Sequence, residues 1–247
     1  MNKDEAKFIG KLRKKVGRTI NKNSLIKGGD KVLVGLSGGK DSLMLVDVLA
    51  ERLKVLPVKY EIFAVHVHLE GVKYFSDIDY LREFCEERGV KFIYHKEAID
   101  FSGGNKNPCF YCSFNRRRIL FEYMKETGCN KLALGHNMDD AVETFFMNMM
   151  FRSRMSSLPY SLSMFGGEFE IIRPLLEIRE DDAARYARIL NFKEQERRCP
   201  HEDKSNRYKV KSLIAEGEKL YPGFVEKVFY SMHRVDGEYL PFLPKEI

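Results

Sequence analysis

"VLVGLSGGKDSLMLV" occupies residues 32–46, and its reading decides the fold. Residues 31–36 form a short apolar run of the kind that makes a buried strand. Ser37-Gly38-Gly39 breaks the run, and residues 42–53 read as a helix. Strand, glycine turn and helix in that order make an anion site. Glycines let the backbone approach a phosphate, and unpaired amides at the helix N-terminus point at its charge. Lys40 adds a mobile positive charge, and the Ser37 and Ser42 hydroxyls add donors. The competing reading is a tight strand-to-helix turn whose glycines serve geometry alone. The spacing is not that of a Walker A loop, because Gly35 lies one residue too near and Asp41 follows Lys40. It is not G-x-G-x-x-G either.

Outward from this motif, residues 61–69, 91–95, 131–134 and 168–172 read as further strands. Residues 78–88, 116–126 and 140–151 read as helices between them. This alternation predicts an α/β fold with a doubly wound, mostly parallel sheet of about five strands. Ligands of such sheets lie beyond the carboxyl ends of the strands, where the opening motif falls. Upstream, Phe8, Leu12, Val16 and Ile20 recur at fourfold spacing and mark an amphipathic helix over residues 6–20. Downstream, residues 181–190, 205–220 and 224–233 read as helices. Residues 153–167, with Ser, Met, Pro and paired Gly, read as a mobile surface loop. Three parts are expected: a basic N-terminal helix (1–27), an α/β domain with the phosphate-binding turn and a Cys-x-x-Cys insertion (28–178), and a helical extension carrying a third cysteine (179–247).

With 44% hydrophobic and 32% charged residues among 247, the composition is that of a globular protein. No apolar run approaches the ~20 residues that span a bilayer. The N-terminus is charged from the outset and does not resemble an export signal, so a cytoplasmic location is expected. The net charge is +6. Its distribution is more informative: Lys11, Arg13, Lys14, Lys15 and Arg18 crowd the first helix, Arg116, Arg117 and Arg118 run together, and Lys204, Arg207, Lys209 and Lys211 cluster late. These groups suit a polyanionic partner, although many basic enzymes bind none.

Two further segments fit a nucleotide site. In "AVHVHL" (64–69) the backbone around Val65 and His66 is a place for adenine or ribose, and His66 and His68 share a strand face. Core histidines with satisfied nitrogens read equally well there. "LGHNMDD" (134–140) closes a strand and opens a helix at Gly135. Asn137 or Asp139 would serve as a helix cap, and Asp139 or Asp140 would organise Mg²⁺ on the phosphates.

Five cysteines, an odd number, argue against a disulfide framework. Cys85, beside Leu81 and Phe84, and Cys129, before a strand, read as packing residues. Cys109, Cys112 and Cys199 remain as a ligand trio. His201 would complete a closed Cys₃His zinc site, and the Cys-x-x-Cys would also serve as a redox pair. A three-thiolate site without a fourth protein ligand would leave one metal position open.

The Ser37–Ser42 hexapeptide resembles the pyrophosphate loop of the PP-loop ATP pyrophosphatases. Cys109-Phe110-Tyr111-Cys112-Ser113 with Arg116-Arg117, then Gly135-His136-Asn137 with Asp139-Asp140, make the resemblance more specific. Ile172-Arg173-Pro174-Leu175, Cys199-Pro200 with Arg207, and "YPGFVEKVFYSM" (221–232) extend it. Together they resemble the tRNA 2-thiocytidine synthetase (TtcA) family. The resemblance implies a [4Fe-4S] cluster on Cys109, Cys112 and Cys199 with its fourth iron free for a sulfur species. It also implies ATP and Mg²⁺, adenylation of the C2 oxygen of cytidine 32 in a tRNA anticodon loop, and replacement of that oxygen by sulfur. Expected ATP-binding residues are Ser37, Gly38, Gly39, Lys40, Asp41, Ser42, Val65, His66 and Gly135. Expected catalytic residues are Asp41, Asp139, Asp140 and Arg116, and expected RNA contacts are Lys14, Lys15, Arg117, Arg207, Lys209 and Lys211. The partners would be tRNA, a cysteine desulfurase or other sulfide donor, and a second copy in a homodimer, with no membrane. Some relatives carry a second cysteine pair around the late ligand, whereas Cys199 stands alone here. A uridine thiolase, or a lysidine- or amide-type PP-loop ligase with structural zinc or a redox Cys-x-x-Cys, is the alternative.

Overall fold

Val32, Leu33 and Val34 are wholly buried in β1 (Lys31–Gly35), a central strand of the sheet. The structure, a computed structural model, describes residues 1–57, 59–70, 76–98, 108–193 and 206–240, without the side chains of Pro108 and Cys109. After α1 (Lys3–Lys22) and β1 come α2 (Lys40–Val55), β2 (Glu61–Glu70), α3 (Ile78–Glu86), β3 (Lys91–Ala98), α4 (Pro108–Thr127), β4 (Lys131–Ala133) and α5 (Met138–Arg152). β5 (Ser161–Met164), β6 (Phe169–Ile172), α6 (Glu180–Ile189), α7 (Asn206–Leu220) and α8 (Phe224–Ser231) complete the described chain. The strand order is β3-β2-β1-β4-β6-β5, with every pair parallel except β5 and β6.

The sheet thus has six strands where the sequence indicates about five. β5 lies inside the stretch read as a mobile loop. Its Ser-Leu-Ser-Met pattern is short and weakly β-forming, and pairing with β6 supplies what local propensity does not. α4 begins well before residue 116, so the Cys-x-x-Cys lies within a helix. Pro108 suits a first helical position, but "CFYCSFN" has no clear apolar period to announce the helix.

Alternation along the strands builds two apolar layers. Val32, Val34, Ala64 and Ile172 face a cluster that includes Leu12 and Val16 of α1, Leu45 and Leu49 of α2, and Ala183 of α6. Leu33, Val65, Leu132 and Ile171 face Ile119, Leu120 and Met124 of α4. A third cluster joins α5, α7 and α8 through Val142, Val210, Ile214, Val225 and Phe229.

One carboxylate sits within the first layer. Asp47, 3% exposed, accepts from Arg13 at 2.8 Å, Arg88 at 2.9 Å and the Tyr186 hydroxyl at 2.6 Å. Arg13 is therefore turned inward, away from the basic surface to which its neighbours Lys11 and Lys14 belong. Among the described residues, no helix is long and apolar enough to cross a membrane.

Candidate nucleotide and RNA site

The order of strands reverses at β1 and β4, which makes their carboxyl ends the expected place for a ligand. After β1, Gly38 adopts φ +83°, a left-handed conformation that glycine reaches without steric cost. The buried Ser42 hydroxyl accepts from the amides of Ser37 (3.2 Å) and Gly38 (3.1 Å) and from the Ser37 hydroxyl (3.0 Å). It donates to the Gly39 carbonyl at 2.9 Å, so in this conformation its proton serves the loop itself. Gly39 is the N-cap of α2 and, having no side chain, makes no side-chain cap bond to the first turn. That turn's amides are left for an anion.

Lys40 Nζ lies 3.1 Å from Asp41 Oδ2 and 3.0 Å from Glu180 Oε1. Burial alone would lower its pKa, but the two carboxylates outweigh burial and raise it, so the ammonium stays charged. Burial raises the Asp41 carboxyl; Lys40 and Asn137 oppose the rise, and the nearby Asp140 charge adds to it.

The loop after β4 closes against this turn. A Cβ on Gly135 would stand 3.1 Å from the Asp41 carbonyl carbon and the Ser42 amide nitrogen, so a larger residue would need the turn to give by a few tenths of an ångström. Asn137 and Asp140 form a reciprocal capping box at the start of α5, with bonds of 3.0 and 3.1 Å. Asn137 Nδ2 also donates to Asp41 Oδ1 at 3.2 Å and joins the two loops.

Asp139 accepts from the Glu180 amide at 2.7 Å and from Arg179 Nε at 3.2 Å. It thereby caps α6 from another element and holds Glu180 against Lys40. Arg179 reaches further, to Glu226 at 2.6 Å and Glu218 at 3.0 Å. Arg207 bonds Asp140 and Glu143, both at 2.5 Å, and Lys211 approaches Glu143 at 3.4 Å. Burial raises the Glu143 carboxyl despite Arg207 and Lys211.

Glu180, Arg179, Glu143 and Arg173 were given no role from sequence. The run Arg179-Glu180-Asp181-Asp182 signals a helix start, but nothing local announces that Asp139 completes it.

Val65 and His66, expected from sequence to border a nucleoside, lie on β2. The Val65 carbonyl accepts from the Leu36 amide at 2.9 Å, and His66 Nδ1 is 2.8 Å from the Leu36 carbonyl. His66 and His68 both face the Tyr94 ring, at 6.2 and 6.4 Å between centroids, as the period of a strand requires.

Cys112 is a free, partly buried thiol packed against the α4 layer. Cys109 lies three residues earlier on α4. Cys199 and His201 lie outside the described residues. Arg116 is half-buried, whereas Arg117, Lys14 and Lys209 are exposed and Lys15 is half-exposed. Cys85 and Cys129 are buried, and burial pushes the Cys85 thiol up to about 12 and raises that of Cys129. Iodoacetamide at about pH 8 should therefore label Cys112 of the metal-free native chain and spare Cys85 and Cys129 until unfolding. Rapid labelling of Cys85 in the native chain, read by peptide mass spectrometry, would contradict its place in the core.

This arrangement can be set beside known proteins. Residues 10–211 match the model of the PP-loop domain family. The tRNA-cytidine(32) 2-sulfurtransferase of Delftia acidovorans is 35% identical over 243 residues, covering 95% of this chain and 76% of that protein. The chain belongs to the tRNA-cytidine(32) 2-sulfurtransferase (TtcA) family. The TtcA-family enzyme of Shewanella halifaxensis is 34% identical over 250 residues, covering 96% of this chain and 80% of its own. Among solved structures, the U34-tRNA thiolase NcsA from Methanococcus maripaludis, solved with its [4Fe-4S] cluster, superposes with a TM-score of 0.74 at 30% identity. That match spans 94% of this TtcA-family chain and 81% of NcsA.

Proposed function

We propose that this tRNA sulfurtransferase replaces the C2 oxygen of a cytidine with sulfur, at position 32 of the anticodon loop, at the expense of ATP. The observation that carries the reading is the junction of Asn137 with Asp41, which sets an uncapped helix terminus beside carboxylates from a second loop. The first turn of α2 would receive the triphosphate, and Lys40 would exchange Asp41 and Glu180 for phosphate oxygens. Asp41 and Asp140 repel each other, and Mg²⁺ shared with the phosphates would relieve that repulsion. Asp139 would support this pair by holding α6 in place. Val65, His66 and Gly135 would border the nucleoside, and Arg116 would neutralise charge on the adenylate. Lys14, Lys15, Arg117, Arg207, Lys209 and Lys211 would meet RNA phosphates, Arg207 by leaving its carboxylates.

The C2 oxygen attacks the α-phosphorus and pyrophosphate leaves. Sulfide then adds at C2, and AMP departs with the former base oxygen, so no net oxidation or reduction is required. Cys109, Cys112 and Cys199 would hold a [4Fe-4S] cluster; the helical spacing of the first two and the free state of Cys112 suit that role. Bound there, the cluster supplies a soft iron site for sulfide. A cysteine desulfurase or another donor would provide the sulfide, in the cytoplasm, to a homodimer.

A uridine substrate is the second reading, favoured by the likeness to a U34 thiolase. The test is anaerobic reconstitution followed by reaction with unmodified tRNA, Mg-ATP and sulfide, with nucleoside mass spectrometry. We expect 2-thiocytidine, with about four iron and four sulfide per chain. Cys109→Ala, Cys112→Ala and Cys199→Ala should each lose both iron and product, while Cys85→Ala keeps them. Formation of 2-thiouridine would move the reading to uridine. Zinc with no thionucleoside would leave a PP-loop ligase.

A further inference from the structure

β4 and β6 are parallel neighbours, with Ala133 opposite Ile172 and the Leu134 amide donating to the Ile172 carbonyl at 3.0 Å. His136 and Arg173 therefore leave adjacent strands at the same carboxyl edge, where the two loops meet. Each has a buried nitrogen without a hydrogen-bond partner among the described residues: Nδ1 of His136 and Nε of Arg173. Arg173 is only 5% exposed. Its guanidinium donates to the Pro159 carbonyl at 2.7 Å, a neutral acceptor, and no carboxylate among the described residues pairs with it.

A buried guanidinium without a counter-ion is costly. Burial, with the Arg117 charge added, pulls the Arg173 pKa down to about 10. Burial likewise pulls His136 down to about 4; Asp140 opposes this, and Arg173, Arg207 and Arg117 add to it. Arg117 acts on both groups and is itself exposed on α4, the helix that carries Cys112. Arg173 is buried, His136 partly so and Arg117 exposed, and among the described residues neither arginine is ion-paired to a carboxylate. Asp140, the carboxylate that acts on His136, already pairs with Arg207.

We propose that Arg173, His136 and Arg117 form an anion site separate from the glycine turn, and that it takes a phosphodiester group of the RNA beside the modified nucleotide. This rests on the tRNA reading above. A phosphate oxygen would accept from Arg173 Nε, and the neutral His136 ring would add a donor. The nucleotide's own phosphates have their place at α2, on β1. This second set lies on the β4–β6 side and opens through Arg117, the direction from which a macromolecule would enter.

The test is the affinity of the full chain for a tRNA anticodon stem–loop over a range of salt, with ATP affinity measured in parallel. Arg173→Met and Arg117→Ala should each weaken stem–loop binding about tenfold. Each should also make the slope of log K against log salt shallower by about 0.7–0.9. Arg173→Lys should keep the slope while losing affinity, and His136→Asn should lose affinity at constant slope. ATP affinity should be unchanged throughout. If Arg173→Met does not fold without its bond to Pro159, the exposed Arg117→Ala and the charge-preserving Arg173→Lys decide the matter. Wild-type RNA binding in both of these would overturn the site. So would lost ATP affinity with unchanged RNA slopes, which would assign these residues to the nucleotide. A wild-type chain that binds no stem–loop would overturn the tRNA reading itself.

Discussion

Lys40→Met should lower kcat/KM for ATP-dependent thiolation about 10²–10³-fold, the usual loss when one preorganised electrostatic contact is removed from a reacting phosphoryl or oxyanion group. Lys40 is the one cation within salt-bridge distance of both Asp41 and Glu180 among the described residues. Without it, the phosphates would meet two carboxylates and no mobile positive charge. The first-turn amides of α2 would remain, so residual ATP binding is expected. Iron content and stem–loop affinity should match the wild type, because neither depends on this contact. Full thiolation by Lys40→Met would sink the assignment of the glycine turn to the triphosphate. Loss of iron alongside activity would show that the substitution acts through the fold.

The largest stability loss is expected at Asp47. Removing one partner of a buried ion pair leaves the other uncompensated, at a cost of about 3–5 kcal/mol. Asp47→Ala would leave Arg88 with only the Phe84 carbonyl and a longer contact to Glu87, take one of two carboxylates from Arg13, which keeps Glu51 at 2.8 Å, and remove the Tyr186 acceptor. Arg13 and Arg88 retain some contact with solvent, which places the expected loss near 3 kcal/mol. For a chain of this size that lowers Tm by about 10 °C. Thermal unfolding of the wild type, Asp47→Asn and Asp47→Ala would measure it. A drop below about 1 kcal/mol would mean that α1, α2, α3 and α6 are held by their apolar contacts alone.

The difference between these two residues explains what was legible. The turn at residues 37–42 is a local device: strand, glycines, lysine and helix follow one another, and the structure keeps them in that order. Parallel β-α-β alternation was legible for the same reason, since each unit writes its period into a short segment. Asp47 sits among apolar residues of α2, but its partners Arg13, Arg88 and Tyr186 come from α1, the segment after α3, and α6. Asp139 poses the same difficulty. As the third residue of "NMDD" it reads as a cap of its own helix or as a metal ligand, whereas its oxygens serve the first amide of α6 and Arg179. Tertiary partners leave no period in the sequence. β5 was missed because its pattern is weak, and the start of α4 because its aromatic and cysteine residues show no amphipathic spacing.

The two rims of the sheet carry a further consequence, for behaviour in a crowded solution. An open sheet exposes unpaired backbone groups along its outermost strands, and these invite other chains to add on and aggregate. Here one rim is β5, four residues long and antiparallel to its neighbour. The other is β3, which carries Lys91, His95, Lys96 and Glu97, with Lys91 paired to Glu61 and Lys96 to Glu70. A short rim on one side and a charged one on the other both disfavour edge-to-edge growth, so the late strand that local pattern failed to announce also guards the chain against self-templating.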